Sequence, residues 1–251
     1  MNLLKTIEDI RKSDKKGALC VIVDTKGSTP RKTGAKMAVT DDREIYGTIG
    51  GGNLEKKVIE NALEQIKSNE PKLFKHDLLQ QHDMCCGGTV YIYIEPIYKM
   101  NKLYIFGAGH TGTALAEYAA PMDFDVFVID DRKEYLDQIK NKDIDKMNLD
   151  YKKALPFIPF DDKTFVVIMT YEHSHDRDIL SHFIKQNLAY LGMIGSQRKI
   201  ELTKKMFLDG KIANQEELDR VDMPIGLSIH AKGPEEIAIS ILAKLIEVKN
   251  E

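Results

Sequence analysis

Leu103-Tyr-Ile-Phe-Gly-Ala-Gly-His-Thr-Gly112 is the stretch whose reading decides the fold. Gly107, Gly109 and Gly112 form G-x-G-x-x-G directly after an apolar run and directly before a helix-like stretch. The next apolar run, Asp125-Val-Phe-Val-Ile-Asp130, ends in the acids Asp130 and Asp131. A strand, a tight glycine turn and a helix N-terminus suit a pyrophosphate, and an acid at the end of the second strand suits a ribose. Phosphates are therefore expected at Gly107–Gly112 and an adenosine ribose at Asp130. The competing reading is the same scaffold with an empty or altered site. His110 stands inside the turn, where nicotinamide sites often carry a small or apolar residue. It is expected to face the crevice as a polar contact or proton handler.

Beyond the fingerprint the pattern alternates. Strands are expected over 103–107, 125–130, 164–170 and 188–194, and helices over 111–120, 133–140, 176–186 and 197–208. A last helix opens at Pro234. Such alternation predicts a parallel sheet with right-handed crossovers, whose ligands sit beyond the carboxyl ends of the strands. His173-Ser-His-Asp176 falls at one such end and Ile194-Gly-Ser-Gln-Arg-Lys199 at the next. Gly195, Ser196 and Arg198 are candidates to grip a phosphate or carboxylate, against the plain alternative of a capped helix start. The H-x-H-D cluster that starts at His173 could ligate a metal, but with no further His or Cys near the cluster in sequence it is read as a polar ligand contact near the crevice.

The fingerprint begins at residue 107, so about a hundred residues precede it and form a unit of their own. Tyr98-Lys-Met-Asn-Lys is a short polar bridge, which puts the expected domains at 1–98 and 99–251. Residues 2–14 read as a helix, Ala18–Asp24 as a buried strand with Cys20 in the core, and 37–40 with 44–49 as a hairpin. Asn53 is expected to cap a helix that turns Leu54, Val58, Ala62 and Ile66 to one side. Three loops carry the chemistry. Gly27-Ser-Thr-Pro-Arg-Lys-Thr-Gly-Ala-Lys36 offers the Ser28 hydroxyl with Arg31 and Lys36 for an anion. Gly50, Gly51 and Gly52 open a helix with bare backbone N–H groups, which suits a phosphate. Cys85-Cys86-Gly87-Gly88 lacks the spacing of a regular zinc site and has no partner C-x-x-C. A thiolate there suits a soft metal or a persulfide, and a buried turn of small residues is the alternative.

The 251 residues carry a net charge of −3, which gives no electrostatic case for nucleic acid or an anionic membrane. No apolar run approaches the ~20 residues of a membrane span. Met1-Asn-Leu-Leu-Lys-Thr-Ile-Glu-Asp-Ile is amphipathic and acidic, unlike a signal peptide, so a cytoplasmic location is expected. Three cysteines, two of them adjacent, make no disulfide framework.

The chain resembles the xanthine dehydrogenase accessory factor family of the XdhC/CoxI type. Nine motifs in order carry the resemblance over nearly the whole chain. They are Gly27-Ser-Thr-Pro-Arg with Gly34-Ala-Lys-Met37, Gly47-Thr-Ile-Gly-Gly-Gly with Leu54-Glu55, Cys86-Gly-Gly, Gly107-Ala-Gly-His, Asp130-Asp-Arg132, Met169-Thr170 with His173 and Asp176, Ile194-Gly-Ser with Arg198-Lys199, Pro224-Ile-Gly226, and Gly233-Pro-Glu-Glu-Ile-Ala238. The resemblance implies an α/β protein: a C-terminal Rossmann-like parallel-sheet domain preceded by a smaller α+β domain, self-associating as a dimer. It implies a chaperone that binds molybdenum cofactor, a phosphorylated pyranopterin dithiolene. The chaperone presents the cofactor to a cysteine desulfurase for sulfuration and passes it to a xanthine dehydrogenase-like molybdenum hydroxylase. Cys86 matches the family's cysteine and is the implied ligand to molybdenum. Cys85 is extra, Asn53 stands where some relatives carry a second cysteine, and Tyr171 stands where histidine is frequent.

Together these readings place the cofactor in a cleft between the two domains, with its anionic end at Gly50–Gly52, Arg31 and Lys36 and its metal toward Cys86. The Rossmann-like site is left open to NAD(P), a nucleotide form of the cofactor, or nothing. A rival reading is an NAD(P)-dependent oxidoreductase with His110, His173 or Asp176 as proton carrier. A third is an assembly scaffold without a small-molecule ligand.

Overall fold

A computed structural model describes residues 2–79 and 87–251, which divide into two compact units, Met1–Lys99 and Met100–Glu251. Cys85 and Cys86 lie outside the described residues. In the first unit, α1 (Leu3–Lys12) starts from Asn2, whose side chain accepts the Leu4 N–H at 3.2 Å. Strands β1 (Gly17–Lys26), β2 (Lys36–Thr40), β3 (Ile45–Gly47), β4 (Lys72–Asp77) and β5 (Thr89–Ile97) form an antiparallel sheet in the order β3-β2-β1-β5-β4. Helix α2 (Gly52–Ser68) covers one face. Its Leu54, Val58, Ala62 and Ile66 recur every four residues, and they pack on Ala18, Cys20 and Ile22 of β1 and on Val90, Ile92 and Ile94 of β5. Burial pushes the Cys20 thiol up to about 12, so it is packing and not chemistry.

The second unit is a parallel sheet. Its strands are β6 (Asn101–Phe106), β7 (Phe124–Asp130), β8 (Ile144–Asn148), β9 (Thr164–Ile168) and β10 (Tyr190–Met193), in the order β10-β9-β6-β7-β8. The order reverses between β6 and β9, which makes their carboxyl ends the switch point where α/β ligands sit. Alternate residues of β6 feed two cores on opposite faces. Leu103 and Ile105 join α3 (His110–Ala119) and α9 (Pro234–Asn250), while Tyr104 and Phe106 join α5 (Tyr151–Ala154), α6 (His173–Phe183) and α7 (Gln197–Asp209). The remaining helices are α4 (Lys133–Leu136) and α8 (Gln215–Asp219), with a 3-10 turn at Leu155–Phe157. Among the described residues no helix is long and apolar enough to cross a membrane.

Expected and observed elements differ in places. The helix expected over 133–140 ends at Leu136. Asn53 lies in the first turn of α2, and Gly51 holds the cap position without a side-chain cap. Strand β8 and helices α5 and α8 were not legible in the sequence pattern.

Candidate functional site

The first unit brings two of its three sequence-distant loops against each other and ties the third to them. Ser28 pairs with Gly87, the residue that follows Cys86, in an isolated parallel bridge. A Cβ on Gly88 would lie 2.2 Å from the Ser28 carbonyl oxygen and 2.7 Å from that of Lys26, so only glycine permits this approach. A Cβ on Gly50 would meet Pro30 at 2.6 Å, which seats the triple-glycine bend on the Ser28–Lys36 loop. Ser28, Arg31 and Lys36 are exposed at this junction. Gly51 and Gly52 have positive φ of 79° and 63°, and a Cβ at either would meet nothing within 4 Å. The backbone there is open to a ligand.

The bend also has a tenant of its own. Oε1 of Glu55, one turn into α2, accepts the N–H groups of Ile49 (3.1 Å), Gly50 (3.2 Å) and Gly51 (2.9 Å), and the Thr48 hydroxyl. Burial works to raise this carboxyl. The Thr48 hydroxyl and the three N–H groups outweigh it and hold the group below its ordinary value. The N–H donors expected to hold a phosphate are therefore engaged by an internal carboxylate up to Gly51. Glu55 shapes the bend, while Arg31, Lys32 and Lys36 are exposed cations of the loop whose Pro30 meets Gly50, with Lys36 Nζ donating to the Gly34 carbonyl at 3.3 Å.

In the second unit the glycine fingerprint follows β6. A Cβ on Gly107 would meet the Met169 carbonyl oxygen at 2.3 Å, and one on Gly112 would meet the Gly107 carbonyl oxygen at 1.9 Å. These two glycines serve the packing of turn, β9 end and α3. Gly109 has nothing within 4 Å of an added Cβ and caps α3, whose first residue, His110, is exposed. The phosphate side of the fingerprint is thus open.

Its ribose side is not. Asp130 is fully buried, and both oxygens are engaged. Oδ2 accepts the Ala108 N–H at 2.7 Å and Nη2 of Arg132 at 2.9 Å; Oδ1 accepts the backbone N–H and Nε of Arg132, each at 2.9 Å. Burial raises the carboxyl, but the Arg132 guanidinium and the two backbone N–H groups hold it below the ordinary value. The Arg132 guanidinium carbon lies 4.0 Å from the Tyr135 ring centre and 4.1 Å from that of Tyr171. The Tyr171 hydroxyl donates to Asp131 at 2.9 Å. Behind this stack, Tyr151 and His175 pack at 5.1 Å, and the Tyr151 hydroxyl and His175 Nδ1 are buried without a hydrogen-bond partner among the described residues. Burial, with the Asp130 and Asp131 charges, raises the Tyr151 phenol far above its ordinary value.

Asp176 is fully buried at the start of α6. It accepts the Thr170 N–H at 3.0 Å and hydroxyl at 2.7 Å, and pairs with Lys199 at 2.6 Å. Lys199 also donates to the Ile194 carbonyl at 2.8 Å. This pair clamps the β9 and β10 loops together. His173 is exposed, 3.8 Å from Asp176. Ser196 caps α7 by accepting the Lys199 N–H at 3.3 Å; Arg198 is exposed beside it, and Gly195 lies under the Lys199 side chain. Tyr135 and Tyr151 lay outside every quoted motif, and Lys199 and His175 lay within quoted motifs without a role of their own. Among the described residues no group of three or more His, Cys, Asp or Glu is placed to hold a metal ion.

Comparison with known proteins follows the same division. Residues 103–245 match the XdhC Rossmann domain and residues 10–77 match the XdhC and CoxI family. The Escherichia coli (strain K12) protein named "Uncharacterized protein YqeB" is 33% identical over 256 residues, covering 100% of this chain and 47% of that protein. A Bacillus subtilis (strain 168) protein, named as a probable xanthine dehydrogenase subunit, is 32% identical over 165 residues, covering 64% of this chain and 47% of that protein. The chain spans about half the length of these curated relatives. A crystal structure described as a xanthine dehydrogenase from Bacillus halodurans has the same fold, with a TM-score of 0.55 at 23% identity, covering 100% of this chain and 96% of that one. With both units matched in order, the chain belongs to the XdhC/CoxI family.

Proposed function

We propose that the chain is an accessory factor for the maturation of a molybdenum hydroxylase of the xanthine dehydrogenase type, and that its first unit binds molybdenum cofactor. The observation that carries the reading is the junction of the three loops: Ser28 paired with Gly87, Pro30 against Gly50, and exposed cations around an open glycine backbone. Family membership and the name of the Bacillus subtilis relative support the same reading.

The residues fit the group. Arg31 and Lys36 supply positive charge for its phosphate, and Ser28 supplies a hydroxyl for a polar pterin edge. Gly51 and Gly52 let a planar ligand approach the backbone closely. Glu55 keeps the bend in shape before any ligand arrives, which lowers the ordering cost of binding. Cys86, next to the paired Gly87, supplies a thiolate suited to a soft metal. When bound, the cofactor supplies a molybdenum centre whose terminal oxygen is exchanged for sulfur. The chain's own part is to hold and shield it, present it to a cysteine desulfurase, and release it to the hydroxylase, acting as a homodimer.

The test is to purify the full chain from cells that make the cofactor and to assay bound molybdopterin. Wild type is expected to retain it and Cys86→Ala to lose most of it. Background levels in both would refute the assignment.

A further inference from the structure

The geometry points to a Rossmann unit that closes its own adenosine seat. Arg132 takes the carboxylate that would read a ribose diol, so the second unit does not select NAD or NADP.

A dinucleotide site of this topology needs a carboxylate at the end of the second strand with an oxygen free for the 2′- and 3′-hydroxyls. Asp130 holds that position at the end of β7. Four donors from the chain occupy its two oxygens, all at 2.7–2.9 Å, and the side chain has no exposed surface. A ribose could enter only by displacing Arg132, which would break a charge-assisted, two-pronged contact.

The arginine is itself held. Its guanidinium carbon lies over the rings of Tyr135 and Tyr171, at 4.0 and 4.1 Å from their centres. An adenine stacking on this guanidinium would compete with two rings already packed against it. Tyr171 is pinned in turn by its hydrogen bond to Asp131. NADP fares no better, because Asp130 neutralises the charge that would attract a 2′-phosphate. The fingerprint glycines remain because Gly107 and Gly112 are required for packing, whatever binds. The inference concerns the second unit and stands apart from the cofactor reading of the first, which the molybdopterin assay tests separately.

Calorimetric titration of the full chain with NAD, NADP, ADP and 2′,3′-dideoxy-ADP tests it. Wild type is expected to show no saturable binding of NAD or NADP up to about 1 mM. Arg132→Ala removes the guanidinium donor from each Asp130 oxygen and leaves one backbone N–H on each, and it is expected to bind NAD at least about tenfold more tightly and to prefer ADP over its dideoxy form by a similar factor. Arg132→Gln removes the charge and can return at most one side-chain donor pair of a neutral amide, so it serves if the alanine variant does not fold. Saturable NAD binding by wild type with preference for the diol would overturn the inference. So would a folded Arg132 variant that gains no NAD affinity, since Arg132 would then not be what closes the seat.

Discussion

Glu55 shows how much one carboxylate can organise. A single oxygen collects three backbone N–H groups and a hydroxyl from residues 48–51, and so fixes the bend that begins α2. Glu55→Gln keeps the shape but weakens every one of those contacts, and is expected to cost about 1–3 kcal/mol in urea unfolding. Its pH dependence has a definite sign. The folded carboxyl titrates below its unfolded value, so its contribution is fully present above about pH 4.3 and is lost as pH falls through the folded value. The urea midpoint of wild type should therefore drop more steeply than that of Glu55→Gln between neutral pH and about pH 3. Asp130 behaves in the same sense. Removing it as Asp130→Ala leaves Arg132 without its partner and is expected to cost about 3 kcal/mol in the same measurement. Neither role was legible in sequence. Glu55 and Asp130 stood out as motif residues, but whether an acid receives a ligand or the chain's own donors depends on neighbours that sequence spacing does not give.

At the scale of elements, the three fingerprint glycines divide by what surrounds them. A methyl on Gly112 would strike a backbone oxygen of the turn, whereas one on Gly109 would enter open space at an ordinary φ of −66°. Gly112→Ala is expected to destabilise the protein by about 1–3 kcal/mol or more, and Gly109→Ala by no more than about 0.5 kcal/mol, as read by thermal or urea unfolding. The strand–turn–helix around these glycines was legible because apolar periodicity and glycine spacing agreed. Strand β8, Ile144-Asp-Lys-Met-Asn, was not: it is an edge strand with one fully buried residue, and its charges mask the alternation. The α2 start was misread for another reason. Asn53 is a favourable cap by type, but Glu55 reaches back to hold the N–H groups of residues 49–51, so the helix begins at Gly52.

At the scale of the molecule, the strand–helix alternation after residue 103 foretold the parallel sheet of the second unit, whereas in the first unit the pattern gave only a hairpin and separate strands, and their joining into one antiparallel sheet came from the structure. The three loops of the first unit were legible as glycine and charge clusters. Their meeting was not, since it depends on a bridge from Ser28 to Gly87 and on the Pro30–Gly50 contact. The central claim is that this junction is the cofactor's seat. The most direct measurement is equilibrium titration of the full chain with molybdenum cofactor released from a hydroxylase, in wild type, Arg31→Ala and Cys86→Ala. Saturable binding by wild type is predicted, with an affinity at least about tenfold weaker in each variant. Unchanged affinity in both variants, or no binding by wild type, would contradict it.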